Sequence, residues 1–146
     1  MYNLIMKARI GFSRLLIAVV VFFNLQAALA FLIDPGKYAP GFELSAVAGE
    51  ALVRGMGILF IMWNVPYLVA LTHPVQHRLS LFEAIAMQAI GVMGESILLA
   101  TLPEGHPALV MTALRFIAFD LGGLGLLILA AILTMRKYLP AGESDR

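Results

Sequence analysis

The sequence contains no cysteine and little charge, and both shortages narrow what it can be. Without cysteine there is no disulfide, no thiolate nucleophile, no cysteine-ligated zinc and no cysteine-held iron–sulfur cluster. Charged side chains make up only 13% of 146 residues, while 61% are hydrophobic. A soluble domain carries about a quarter charged residues. Half that share leaves too little polar surface for water, so the lipid bilayer is the expected solvent. The net charge is +1 with no basic stripe, which argues against nucleic acid as a partner. His73, His77 and His106 all fall between apolar runs, so paired-imidazole haem ligation inside a bundle is not expected. No HExxH, nucleophile-elbow or phosphate-loop pattern occurs, and no apolar run carries the basic ladder of a voltage sensor. No metal or cofactor is expected, and no catalytic residue can be named.

What is present is apolar length. Residues 15–33, 52–71, 81–102 and 108–135 form four runs, each near the roughly 20 residues that a spanning helix needs. Asp34-Pro-Gly, His73-Pro and Pro103-Glu-Gly-His-Pro107 separate them with turn chemistry. The expected fold is an all-α integral membrane four-helix bundle, a single domain over 1–146, with antiparallel neighbours. The first run has a second reading. Lys7, Arg9 and Arg14 ahead of an apolar stretch ending in Ala28-Leu-Ala30 imitate a cleaved signal peptide. Phe31-Leu-Ile continues the run past that cut, which favours a retained helix.

The positive charges orient the bundle. Lys7, Arg9, Arg14, Arg78, Arg136, Lys137 and Arg146 fall on one side, against Lys37 alone on the other with Asp34, Glu43, Glu50 and Glu104. The positive-inside rule then places both termini in the cytoplasm of a cell whose inner membrane holds the protein. Tyr2 and Tyr138 suit the inner interface and Tyr38 the outer one. The outer connection 34–50 is long. Pro35, Gly36, Pro40 and Gly41 predict an irregular first half, and Ser45 is placed to cap a helix running through Glu50.

One residue resists this apolar scheme. Glu95 stands in GVMGESILLA, where a carboxylate is costly unless compensated. The third and fourth runs fold about Gly105, so Glu95 and Arg115 lie at equal depth, on the order of 10–15 Å below the outer surface. Helical side chains lean toward their own N-terminus, so Glu95 leans toward the membrane centre, Arg115 toward the outer surface, and Asp120 outward toward the level of Glu95. A cluster of both acids with Arg115 is as consistent as a simple Glu95–Arg115 pair, and its carboxylates would titrate as a coupled set. Gln88, Gly91 and Glu95 share one helical stripe, and Arg54, Gly57, Ile61 and Asn64 share another. Asn24 lies near the depth of Glu95. Pro66 frees the Met62 carbonyl, for which Asn64 or water is a candidate partner. Gly55, Gly57, Gly91, Gly94, Gly122, Gly123 and Gly125 would let helices approach closely.

Each feature has a plainer reading beside it. Arg54 follows Glu50 by four residues, a helical ion pair at the membrane rim. Arg115 can extend to the outer head groups. Glu83, near Arg78, reads as interfacial, and Trp63 and Tyr67 as core filler. A Glu95–Arg115 bridge that only fastens two helices competes with a working site.

Four short spans, a long first outer loop and Arg54-Gly-Met-Gly at the start of the second span resemble the DoxX-like small membrane proteins. The resemblance implies an accessory or small-ligand-binding role near quinones and assigns no site residues. The residues themselves point to a binding or accessory protein. Its intramembrane pocket would comprise Glu95, Arg115, Asp120, Asn24, Asn64 and Gln88, with Arg54 near the mouth. The ligand expected is lipid-like or quinone-like, in a homo-oligomer or larger membrane complex. An enzyme using Glu95 and Asp120 for acid–base work on a lipid-soluble substrate, and a proton-coupled transporter, are the alternatives.

Overall fold

A computed structural model describes residues 2–135. Arg136, Lys137, Tyr138 and Arg146, invoked above for orientation, lie outside the described residues, as does the Tyr2 side chain. The chain is all α: α1 Tyr2–Ile33, α2 Pro35–Tyr38, a 3-10 turn Ala39–Phe42, α3 Ala46–Thr72, α4 Arg78–Thr101 and α5 Pro107–Met135. Among the described residues, four helices are long and apolar enough to span a membrane. The protein is a multi-pass membrane protein.

Helix ends follow local chemistry. No proline interrupts residues 2–33, so α1 continues well upstream of the apolar run and carries Lys7 and Arg9 on helical backbone. Pro107 opens α5 at a position where its missing N–H costs nothing. Leu102, which precedes Pro103, is extended and ends α4. Ser45 does stand at the N-cap of α3, but its hydroxyl makes no capping hydrogen bond.

The segment after α1 is more regular than its Pro and Gly content predicts. Pro35 and Pro40 sit in the first turns of α2 and the 3-10 turn, where a fixed φ near −65° pre-forms helix instead of breaking it. Glu43 then takes a left-handed φ of 54° and closes the turn through its N–H to the Ala39 and Pro40 carbonyls.

Around the bundle, α1 packs on α3 and α5, and α4 on α3 and α5, while the diagonal pairs make no backbone contact among the described residues. One end is solid. Leu16, Ile17, Val20 and Val21 of α1 meet Tyr67 and Ala70 of α3, Leu81 and Ala84 of α4, and Leu127, Ala130 and Ala131 of α5. Ser13 Oγ donates to the Ala130 carbonyl at 3.1 Å, and Arg14 Nε donates to the Leu71 carbonyl at 3.0 Å near the end of α3. At the other end Phe31 packs with Ala39 and Val53, bordered by Tyr38, Phe42, Phe60 and Phe116. Gly57 permits the α1–α3 approach, since a Cβ there would lie 2.8 Å from the Ala28 carbonyl oxygen. By contrast Gly55, Gly94, Gly122 and Gly125 face open space and are not needed for close packing.

The outer surface is apolar: Leu15, Phe22, Ile58, Val65, Ile90, Ile97 and Leu121 are all exposed. At about 25 cal/mol per Å² such a surface is unfavourable in water and suited to hydrocarbon. Trp63 belongs partly to this surface. It is 49% exposed and not the core filler its sequence setting suggests.

Candidate functional site

The polar interior is organised around Gln88. Tyr67 of α3 donates its hydroxyl proton to Gln88 Oε1 at 2.8 Å, and Gln88 Nε2 donates to Asp120 Oδ1 at 2.7 Å. Three helices are thereby joined through a carboxamide that serves as acceptor on one side and donor on the other. Two glycines make room for it. A Cβ at Gly123 would stand 2.7 Å from Gln88 Nε2, and one at Gly91 would collide with Asp120 Oδ2. Asn64 is 1% exposed, and its Nδ2 donates to the Phe60 carbonyl at 2.7 Å. The amide thus turns to residue 60, not to the Met62 carbonyl that Pro66 leaves free.

These groups open onto a cavity of about 650 Å³. Asn24, Asn64, Gln88, Glu95, Arg115 and Asp120 all line it, so the structure brings together every pocket residue expected from the sequence except Arg54. Arg54 is exposed and away from the cavity, and forms no ion pair with Glu50 among the described residues. The Glu50 carboxylate instead leans toward α2, its Oε1 3.4 Å from where a Cβ at Gly36 would stand.

Glu95 faces inward, as its position predicts, but the direct bridge to Arg115 is not formed. Among the described residues no acid lies within ion-pair distance of Arg115, which is exposed, and Glu95 Oε2 is buried with no hydrogen-bond partner. Both residues line the cavity, but each side chain leans toward the N-terminus of its own helix, Glu95 toward the Arg78 end of α4 and Arg115 toward the Pro107 end of α5. Asp120 is likewise tied to Gln88 and not to the guanidinium.

Aromatic rings form much of the wall. Phe31 stands 5.1 Å from Tyr38, 5.9 Å from Phe42, 5.7 Å from Phe60 and 6.4 Å from Phe116, centroid to centroid. Phe60 continues the row to Trp63 at 5.7 Å. The segment 35–44 closes over this end, contributing Lys37, Tyr38, Gly41 and Phe42 to the lining. It is held from α5 by Thr112 Oγ1, which donates to the Gly41 carbonyl at 2.6 Å, and by a 2.6 Å contact between His106 Nδ1 and Glu43 Oε2. Lys37 Nζ lies 5.9 Å from the Tyr38 ring centroid.

Tyr67 and the aromatic row are additions to what the sequence suggested. Tyr67 follows Asn64 by three residues and so shares its helical face, a signal that was available. The row assembles residues from four separate segments, and no spacing within one segment announces it. Among the described residues no cluster of acids and histidines fit to hold a metal occurs. Comparison with protein families, with curated proteins and with solved structures finds no match.

Proposed function

We propose that the protein is a membrane-embedded binding protein whose cavity takes the head of a lipid-like or quinone-like amphiphile. The observation that carries this reading is Glu95 Oε2, an oxygen shut from solvent and without a hydrogen-bond partner among the described residues, on the wall of a cavity rich in aromatic side chains. A buried polar atom left unmatched costs about 1–3 kcal/mol, so a bound group that supplies a donor there recovers free energy. A volume near 650 Å³ lies within the range of small-molecule sites, which combine apolar and aromatic walls with polar groups that fix orientation. In this proposal neighbouring helices alternate in direction, both termini are cytoplasmic, and the host is a bacterial-type inner membrane. The protein serves as an accessory subunit or homo-oligomer, in keeping with the resemblance to DoxX-like proteins.

Mass spectrometry of organic extracts from protein purified in mild detergent tests the reading. Wild type should retain about one amphiphile per chain. Gly94→Leu, at a cavity-lining position where a Cβ meets nothing within 4 Å, should lose it while unfolding at the same temperature. A wild-type protein that carries no amphiphile, or a Gly94→Leu protein that carries as much, would overturn the proposal.

A further inference from the structure

The cavity also has a chemical polarity that selects among amphiphiles. Among the described residues two buried side-chain atoms have no hydrogen-bond partner, and both are oxygens on residues of this cavity: Glu95 Oε2 and Asn64 Oδ1. Asn64 lines the cavity, is almost wholly buried, and directs its amide N–H to the Phe60 carbonyl. Asp120 adds a second carboxylate, with Oδ1 engaged by Gln88 and Oδ2 over Gly91. The bases that line the same cavity do not answer these groups. Arg115 and Lys37 are exposed and make no ion pair with either acid among the described residues.

Resting on the binding role just proposed, we infer that the ligand presents a cationic ammonium-type head to Glu95, Asp120 and Asn64. The reason is a matching of functional groups. A quinone or ester carbonyl brings only acceptors and so answers neither of the two unpartnered oxygens. A hydroxyl brings one donor. A primary ammonium brings three, together with a charge that two carboxylates in a low-dielectric setting stabilise. The aromatic row supplies the rest, since ring faces attract cations within about 6 Å of their centroids. Phe31, Phe60, Trp63 and Phe116 form that part of the wall.

Trp63 is the chain's single tryptophan and lines the cavity, so its fluorescence reports occupancy directly. Dodecylammonium, dodecanol and dodecanoate share a tail and differ in head, and each can be titrated onto the purified protein in nanodiscs. Dodecylammonium should bind at least tenfold more tightly than either of the others. Glu95→Gln and Asn64→Leu should each weaken it at least tenfold, with dodecanol little changed. Butylammonium distinguishes the source. Binding equal to that of the long chain assigns a water-borne cation, and much weaker binding assigns a membrane-borne one, both with the cationic head upheld. Dodecanol or dodecanoate binding as tightly as dodecylammonium would overturn the cation assignment while leaving the binding role intact. So would undiminished dodecylammonium binding to folded Glu95→Gln. Failure of every probe to perturb Trp63 would overturn both. Should the variants fail to fold, the order of the three heads on wild type still decides.

Discussion

Gln88 is the residue on which most of the interior depends, because one carboxamide holds partners on two other helices. Gln88→Leu strands the Tyr67 hydroxyl and an Asp120 oxygen together. At about 1–3 kcal/mol for each of the two stranded groups, unfolding in detergent should register a loss of about 2–6 kcal/mol. Tyr67→Phe strands only one group, the Gln88 carbonyl oxygen, and should cost about half as much. Equal losses in thermal melts followed by circular dichroism would contradict a chain running through Gln88. Arg115→Met should cost less than about 1 kcal/mol, as for an exposed charge. A loss of about 3–5 kcal/mol would instead reveal a buried pair with Glu95. The sequence singled out Glu95 and Arg115 because they are opposite charges at equal depth. Gln88 and Asp120 satisfy the same depth relation, yet a neutral amide draws less notice than an arginine. Depth was legible from numbering. The side of the helix on which a long side chain comes to rest was not, since that depends on packing by residues far away in the chain.

At the scale of elements, the four spans were readable because each needs only length and hydrophobicity, and the Pro-rich turns marked their ends. The segment 35–44 was misread because proline signals opposite things by position: it breaks a helix interior and begins a helix at its first turn. Its docking on α5 depends on residues some seventy positions away, which no local pattern discloses. The Thr112 hydroxyl is the most specific of those contacts. Thr112→Val should therefore speed amide hydrogen exchange of Glu43 and Leu44, whose N–H groups bond to the Pro40 and Ala39 carbonyls, by about fivefold, the factor for a loss of about 1 kcal/mol. Exchange unchanged from wild type would mean that the aromatic contacts of Phe42 alone retain the segment.

For the whole molecule, the decisive property is the reversal of sides: hydrocarbon-like residues outside, amides and carboxylates within. Composition already required this, since 13% charge cannot cover a protein of this size in water. Orientation in the membrane rests on the basic residues of one side against Lys37 on the other, and the absence of native cysteine makes it simple to measure. Glu104→Cys in intact cells should react with a membrane-impermeant maleimide, and Gln76→Cys should react only after permeabilisation. The opposite pattern would invert the orientation.

The contrast between the two ends of the bundle has a volumetric consequence. Pressure acts on the internal volume that unfolding or closure eliminates, and close-packed interiors yield little to it. Here one end carries a partly open cavity of about 650 Å³ and the other is filled by Ile17, Leu127 and their neighbours. Compressibility is therefore distributed unevenly along the molecule. Under hydrostatic load the aromatic end is the spring and the aliphatic end the anvil.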